Sequence, residues 1–141
     1  MDFNGHVSTG LLSSTSAAAL TFFLLEPLMA VHIFVSSMIF SLYPDLDTGS
    51  ISRRVLSLLF TVAMVTLFKE GYTESAIGIL ILMIAPNFFK HRGFTHTIFG
   101  MIFFVGVYYV SIGYCMGFED IWPIAIGGVI GYSTHLISDV I

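Results

Sequence analysis

Apolar stretches alternate with short polar segments along the whole of this chain. Reading for the apolar stretches predicts six helices, over residues 7–25, 27–43, 55–68, 76–89, 95–116 and 123–141. The segments between them are rich in turn formers such as Pro, Gly, Asp and Ser. About 20 apolar residues are needed to cross the hydrocarbon core of a membrane. The pattern therefore predicts an all-α fold, a polytopic transmembrane helix bundle that forms one membrane-embedded domain over residues 1–141.

The third and fourth apolar stretches are the weakest of the six. Each has fewer than 20 uninterrupted apolar residues, so each helix must include polar residues at its ends or cross a thin region of the membrane. A bundle of five helices is the alternative, in which one of these two stretches is merged with a neighbour, lost or re-entrant.

The composition agrees with a membrane protein. Of the 141 residues, 56% are hydrophobic and only 10% are charged, with a mean hydropathy of +0.92, whereas soluble domains carry about 25% charged residues. Five Lys and Arg against nine Asp and Glu exclude a nucleic-acid binder that depends on a basic patch, and a single Cys excludes a disulfide scaffold. Membrane lipid is therefore the expected environment. The sequence leaves open whether the protein forms a homo-oligomer.

Small residues are concentrated in two of the predicted helices. The first helix is rich in Ser, Thr, Ala and Gly, and the last contains Gly127 and Gly131 four residues apart. Small residues let helix backbones approach closely in lipid. We therefore expect both helices to lie at the centre of the bundle.

The ionisable residues converge once the helices are placed in a membrane, where such residues are costly unless paired, hydrated or bound to a cation. We call the side that holds the N-terminus side X and the opposite side the far side. With six crossings, the second, fourth and sixth helices all end at side X. Seven candidate metal ligands then lie there: His6, Asp45, Asp47, His91, His96, His135 and Asp139. Losing one crossing would separate them.

The basic residues predict the orientation of the bundle. Four of the five lie at side X, namely Arg53, Arg54, Lys90 and Arg92, and Lys69 lies on the far side. Loops rich in Lys and Arg stay in the cytoplasm. We therefore predict a multi-pass protein of the inner (cytoplasmic) membrane, with its N-terminus and the candidate site on the cytoplasmic side.

The connection between the fourth and fifth helices carries two of the histidines. Five positions separate His91 from His96, a spacing that does not align two side chains on one helix. We expect Gly93 to adopt a positive φ and to end the fourth helix, with His91 in its last turn. His96 would then lie in the first turn of the fifth helix, with Thr95 as its N-cap.

Two further spacings favour a shared metal site. His135 and Asp139 are four positions apart, which places an imidazole and a carboxylate on one helix face. Pro44 stiffens the turn that carries Asp45 and Asp47. Taken singly, each feature is more often a polar helix contact or a helix terminator, but their convergence favours a site that binds metal.

The donor set indicates the kind of metal and of chemistry. Four His and three carboxylates without a thiolate suit a divalent transition metal, with Zn²⁺ favoured and Mn²⁺ or Fe as alternatives, as one ion or two. Such an ion would activate a water molecule for hydrolysis of an ester or phosphoester. In this hypothesis Asp47 is the general base and Arg92 neutralises charge on the phosphoryl oxygens. Membrane lipids, whose head groups lie at this depth, are the expected substrates.

Two other functions remain open from these residues alone. Intramembrane His and Asp also serve proton and metal transporters, although transport needs ligands near the membrane midplane. A metal ion or polar cluster could also hold the helices together without catalysis.

Four sequence blocks, in this order, resemble the YdjM-type inner-membrane metal-dependent hydrolases, a family with distant similarity to zinc phospholipases. The blocks are Gly5-His6, Pro44-Asp45-Leu46-Asp47, His91-Arg92-Gly93-Phe94-Thr95-His96 and His135-Leu136-Ile137-Ser138-Asp139. The resemblance covers nearly the whole chain. It implies metal ligation by His6, Asp45, His91, His96, His135 and Asp139, with Asp47 in or beside the ligand set. The chain departs from the family at Thr48, where relatives often have His.

Overall fold

The computed structural model describes residues 3–24, 26–47, 50–90 and 93–140, and all regular structure within these ranges is helical. The six α-helices are α1 (Phe3–Leu24), α2 (Pro27–Leu42), α3 (Ile51–Lys69), α4 (Thr73–Ile84), α5 (Ile98–Met116) and α6 (Trp122–Ser138). Three short 3₁₀ turns lie between them, at Tyr43–Asp47, Ala85–Phe88 and Phe94–His96. We call the first the Asp45 turn and the last the His96 turn. The predicted all-α bundle of six helices is confirmed.

Four of these helices are long and apolar enough to cross a membrane, namely α1, α2, α3 and α5. The helix α4 has 12 residues and α6 has 17, or about 18 and 26 Å at 1.5 Å per residue. A hydrocarbon core is about 30 Å thick. The shortness of α4 agrees with the weak apolar stretch seen in the sequence, and the apolar chain continues from α4 into Ala85–Phe88.

Contacts between helix ends fix the directions in which the helices run. The hydroxyl of Ser138 at the end of α6 lies 3.4 Å from that of Thr9 near the start of α1. His135 in α6 lies 2.8 Å from the carbonyl of Ser41 at the end of α2, measured from its Nδ1 atom. The start of α1 and the ends of α2 and α6 therefore meet at one end of the bundle, as the even number of crossings predicts.

The helices α2 and α6 form the centre of the bundle. A Cβ atom added at Gly131 would overlap the Ser37 carbonyl, and one at Gly127 would overlap the Ser36 hydroxyl. The two helices therefore approach closely only because α6 has glycine at these positions. The prediction that the last helix is central is confirmed.

The same prediction for the first helix is wrong. Only 17% of residues 7–24 are buried, against 50% of residues 27–46. One narrow face of α1 packs on α2, where Ser14 contacts Ser37 with 3.1 Å between their hydroxyl oxygens. The remaining faces carry large apolar side chains such as Leu12 and Phe23, which are exposed. The helix α1 therefore lies at the edge of the bundle.

Candidate metal centre

Two imidazoles and two carboxylates meet at side X. The Nε2 atom of His96 lies 3.3 Å from Oδ2 of Asp139 and 3.9 Å from Oδ1 of Asp45. The Nε2 atom of His135 lies 3.4 Å and 3.7 Å from the same two oxygens. Both Nε2 atoms are buried, and the carboxylates are 15–17% exposed. Residues as far apart in the sequence as Asp45 and Asp139 therefore belong to one cluster.

The spacing of these atoms fits a bound divalent ion. Ligand atoms of Asp45, His96 and His135 all lie within 4.8 Å of one another. Two nitrogen or oxygen ligands at about 2.0–2.1 Å from a tetrahedral Zn²⁺ are about 3.3 Å apart. The four imidazole–carboxylate distances of 3.3–3.9 Å are at or slightly above this value. Asp45, His96 and His135 therefore fit a zinc ion with two nitrogen ligands and one oxygen ligand, and Asp139 lies beside them, 3.3–3.4 Å from both imidazoles.

His135 is oriented by the backbone of α2. Its side chain is fully buried, and its Nδ1 atom lies 2.8 Å from the carbonyl oxygen of Ser41. A carbonyl only accepts hydrogen bonds, so Nδ1 carries a proton, and in the neutral imidazole the lone pair is then on Nε2, which faces the carboxylates. In a metal-binding histidine, the ring nitrogen that does not bind the metal usually donates a hydrogen bond to a carbonyl or carboxylate.

His96 is held by the turn that precedes α5. The neighbouring Thr95 is fully buried, and its carbonyl accepts a hydrogen bond from the hydroxyl of Tyr132 in α6. The hydroxyl of Thr95 lies 3.1 Å from Nδ1 of His96. A Cβ atom at Gly100 would overlap the Phe94 carbonyl, so glycine lets α5 begin close to this turn. The position of His96 therefore depends on α6 as well as on its own segment.

Three local expectations for this segment are wrong. The φ of Gly93 is −86°, not positive. Glycine is needed here because a Cβ atom would lie 2.7 Å from the Lys90 carbonyl oxygen. The fourth helix ends at Ile84, since Pro86 lacks the N–H needed to continue it. The N-cap of α5 is Thr97, whose hydroxyl accepts from the N–H of Gly100 at 3.0 Å.

Asp45 lies in a turn fixed from two directions. The chain does not leave helical structure at Pro44 but continues as the 3₁₀ turn Tyr43–Asp47. The buried hydroxyl of Tyr43 donates to the carbonyl of Leu82 in α4 at 2.8 Å. The hydroxyl of Ser50 donates to the carbonyl of Asp45 at 3.2 Å and also caps α3. The carboxylate is therefore presented by a turn that is anchored to α3 and α4.

Several predicted site residues lie outside the part of the chain that the structure describes. His91 and Arg92 fall in the gap between residues 90 and 93, and the side chains of His6 and Asp47 are likewise not described. The backbone of His6 belongs to α1, and that of Asp47 ends the Asp45 turn. Their roles as ligands, general base and phosphoryl contact stay predictions.

The cluster opens to the outside through a small cavity. The cavity has a volume of about 280 Å³ and is lined by His96, Asp139, Leu136 and Val140. Two of the candidate ligands therefore face a space that a small molecule or a head group can enter.

Two supporting groups were not found from the sequence. The Ser41 carbonyl is a backbone group, which no side-chain pattern reveals. Tyr132 does leave a signal, because it lies one helical turn before His135 and a phenol in an apolar helix needs a polar partner.

Comparison with known proteins adds one finding. The family model described as YdjM inner membrane protein matches residues 1–141. The chain belongs to the YdjM inner membrane protein family. The resemblance seen in the four sequence blocks is thereby confirmed, and the four long apolar helices agree with the membrane location in the family's description. No curated protein and no solved structure matches this YdjM-family chain.

Proposed function

We propose that this YdjM-family chain is a membrane-embedded, metal-dependent hydrolase that cleaves a phospholipid or another phosphoester at the cytoplasmic face. The observation that carries the proposal is the meeting of two buried imidazole Nε2 atoms with two carboxylates, 3.3–3.9 Å apart, beside an open cavity. Buried ionisable residues in a membrane protein are costly, so such a cluster indicates a functional site.

Asp45, His96, His135 and Asp139 are the residues that would hold the ion. Mixed nitrogen and oxygen donors without sulfur favour Zn²⁺, with Mn²⁺ and Fe as alternatives. When bound, such an ion supplies Lewis acidity and lowers the pKa of water toward 7. His135 is pre-oriented by the Ser41 carbonyl, so its lone pair needs no rearrangement to bind.

The remaining roles follow from the chemistry of phosphoester cleavage. Asp47 would accept the proton of the attacking water as general base, since its backbone ends the same turn that carries Asp45. Arg92 would neutralise charge that develops on the phosphoryl oxygens. His6 and His91 would complete the ligand set, as the family resemblance implies, or bind a second ion, since seven candidate ligands exceed the needs of one tetrahedral ion.

The cytoplasmic orientation is part of the proposal. Arg53 and Arg54 lie in the first turn of α3 at side X, next to the turn that carries Asp45. Neither forms an ion pair with another described residue. Basic residues placed in this way favour the cytoplasmic side of the membrane.

A structural role for the metal is the second candidate. The four side chains come from three segments, the Asp45 turn, the His96 turn and α6, so an ion bound by them would tie these segments together. A transporter is less well supported, because these donors lie at one end of the bundle rather than near its middle.

The test uses the full chain in lipid nanodiscs, loaded with Zn²⁺ and assayed with bis-p-nitrophenyl phosphate and with phospholipid. We expect hydrolysis that a chelator removes and added Zn²⁺ restores. The variant Asp139→Asn should abolish turnover and leave the thermal unfolding of the chelated protein unchanged. The matched control is His32→Ala, which removes a histidine of α2 outside the cluster.

Two results would refute the hydrolase. One is the absence of hydrolysis of every phosphoester tried while zinc is bound in stoichiometric amount. The other is a Zn²⁺-dependent rise in thermal stability without any turnover, which would support the structural role instead.

A further inference from the structure

A long apolar groove lies on the α3–α4 hairpin, at the far side of the bundle from the metal centre. It has a volume of about 590 Å³, within the range of about 300–1,000 Å³ that is typical of ligand pockets. The apolar residues that line it are Met64, Val65, Phe68, Ala76, Ile77 and Leu80. The groove belongs to neither the metal cluster nor the cavity at its mouth.

The shape of the groove suits one hydrocarbon chain. Its floor includes the buried Ala76, and its walls include Phe68 and Ile77, which are 66% and 52% exposed. From Thr73 to Leu80 the groove follows seven residue steps of α4, or about 10 Å. One leaflet of a membrane has about 15 Å of hydrocarbon. The groove therefore begins at the far-side surface and ends within the same leaflet.

Lys69 lies at the end of the groove that faces the membrane surface. It is the last residue of α3, and its side chain contributes to the groove wall. Lysine buries its aliphatic stem against apolar surface and keeps its ammonium at the interface. It is also the single Lys or Arg between residues 55 and 89. A phosphate at this surface would therefore meet one cation, directly above the apolar groove.

Two acidic residues lie next to Lys69 in the hairpin. Glu70 follows it directly, and Glu74 is in the first turn of α4, where it lines a neighbouring cavity between α4 and α5 that shares Ile77 with the groove. None of these three side chains forms an ion pair with another described residue. One cation and two anions are therefore available to a ligand that carries both charges.

We propose that the groove binds a phospholipid of the far-side leaflet with a primary-amine head group. One acyl chain occupies the groove, the phosphate contacts Lys69, and the head-group ammonium contacts Glu70 and Glu74. A primary ammonium donates hydrogen bonds to carboxylates, whereas a quaternary ammonium has no N–H group to donate. An ethanolamine head group therefore fits better than a choline one. This lipid is bound and not cleaved, and the inference does not depend on the proposed hydrolase.

The test measures lipid retained by the full chain after delipidation in detergent and addition of defined lipids, read by native mass spectrometry. We expect phosphatidylethanolamine to be retained over phosphatidylcholine and phosphatidylglycerol of the same acyl chains. Lys69→Ala should lower its retention about fivefold, as expected for loss of one basic contact with a phosphate. Lys90→Ala, which removes an exposed lysine at side X, is the matched control and should change retention by less than about twofold.

A second variant tests the groove itself. Ile77→Trp fills the groove from its exposed wall and should displace the lipid, whereas Val62→Trp, at an exposed position of α3 outside the groove, should not. Wild-type retention in both Lys69→Ala and Ile77→Trp would overturn the proposal. Equal retention of phosphatidylglycerol would overturn the assignment of the head group. A dimer that Ile77→Trp dissociates would show instead that a second copy of the chain covers the groove.

Discussion

The two ends of this bundle use charged residues in opposite ways. At side X, two imidazoles and two carboxylates are largely buried, and each imidazole lies 3.3–3.9 Å from both carboxylates. At the far side, Lys69, Glu70 and Glu74 are exposed and form no ion pair with a described residue. Exposed charges at a membrane surface are hydrated or meet lipid head groups, whereas buried ones need partners inside the protein. The comparison shows why the side X cluster, rather than the far-side charges, is the candidate for chemistry.

Removing one buried imidazole should produce the largest effect. His135→Ala takes away a ligand together with its orienting contact to Ser41. Loss of a residue that only supports a metal ligand typically lowers metal affinity by about 10–100-fold. We therefore expect loss of the ligand itself to lower Zn²⁺ affinity by more than about 100-fold. Competition with a fluorescent chelator measures the affinity. His32→Ala should stay near wild type, and an equal loss in that control would contradict a localised site.

Close packing of α6 on α2 should be the next most sensitive feature. Gly131→Ala places a Cβ against the Ser37 carbonyl, and overpacking of this kind costs about 1–3 kcal/mol. Thermal unfolding in detergent should show a clear loss of stability. Gly106→Ala is the matched control, since nothing lies within 4 Å of the added Cβ. Equal stability of the two variants would show that the α2–α6 contact is looser than described.

A smaller effect is expected from the support of His96. Tyr132→Phe removes the hydrogen bond to the Thr95 carbonyl while it keeps the buried ring. Zn²⁺ affinity should fall about tenfold, the lower limit for an outer partner of a metal ligand. Tyr109→Phe, on α5, serves as the control. A Tyr132→Phe variant with wild-type affinity would mean that the His96 turn is held by its own residues.

The far side should be the least sensitive region for metal binding. Lys69→Ala removes an exposed charge at the opposite end of the bundle, so Zn²⁺ affinity should change by less than about twofold, because screening limits the effect of distant exposed charges. The same titration applies. A large change would remove the distinction between the two ends.

The sequence predicted much of this arrangement because crossing number is a property of the whole chain. Six apolar stretches return Asp45, His96, His135 and Asp139 to one side whatever the exact helix ends are. The role of Gly93 could not be predicted in this way, because it depends on how the backbone folds locally against the Lys90 carbonyl. The role of Thr95 could not be predicted either, because it depends on a residue far along the chain. The carbonyl of Thr95 accepts a hydrogen bond from Tyr132, 37 positions away, and the helix cap is Thr97 instead.

The edge position of α1 was missed for a related reason. Small residues occur all along this helix, but only the face that carries Gly10 and Ser14 meets α2. Composition indicates that a helix can pack closely, but it does not indicate how many neighbouring helices pack against it. The parts played by His6, Asp47, His91 and Arg92 stay predictions, since their side chains lie outside the described residues.

The central proposal is that Asp45, His96, His135 and Asp139 bind one metal ion together. X-ray absorption spectroscopy of the zinc-loaded chain at neutral pH tests it most directly. We predict nitrogen and oxygen ligands at about 2.0–2.1 Å, with the scattering pattern of at least two imidazoles, and loss of that pattern in a His96→Ala, His135→Ala double variant. The absence of bound zinc, or a zinc ion that is surrounded by oxygen ligands alone, would contradict this proposal.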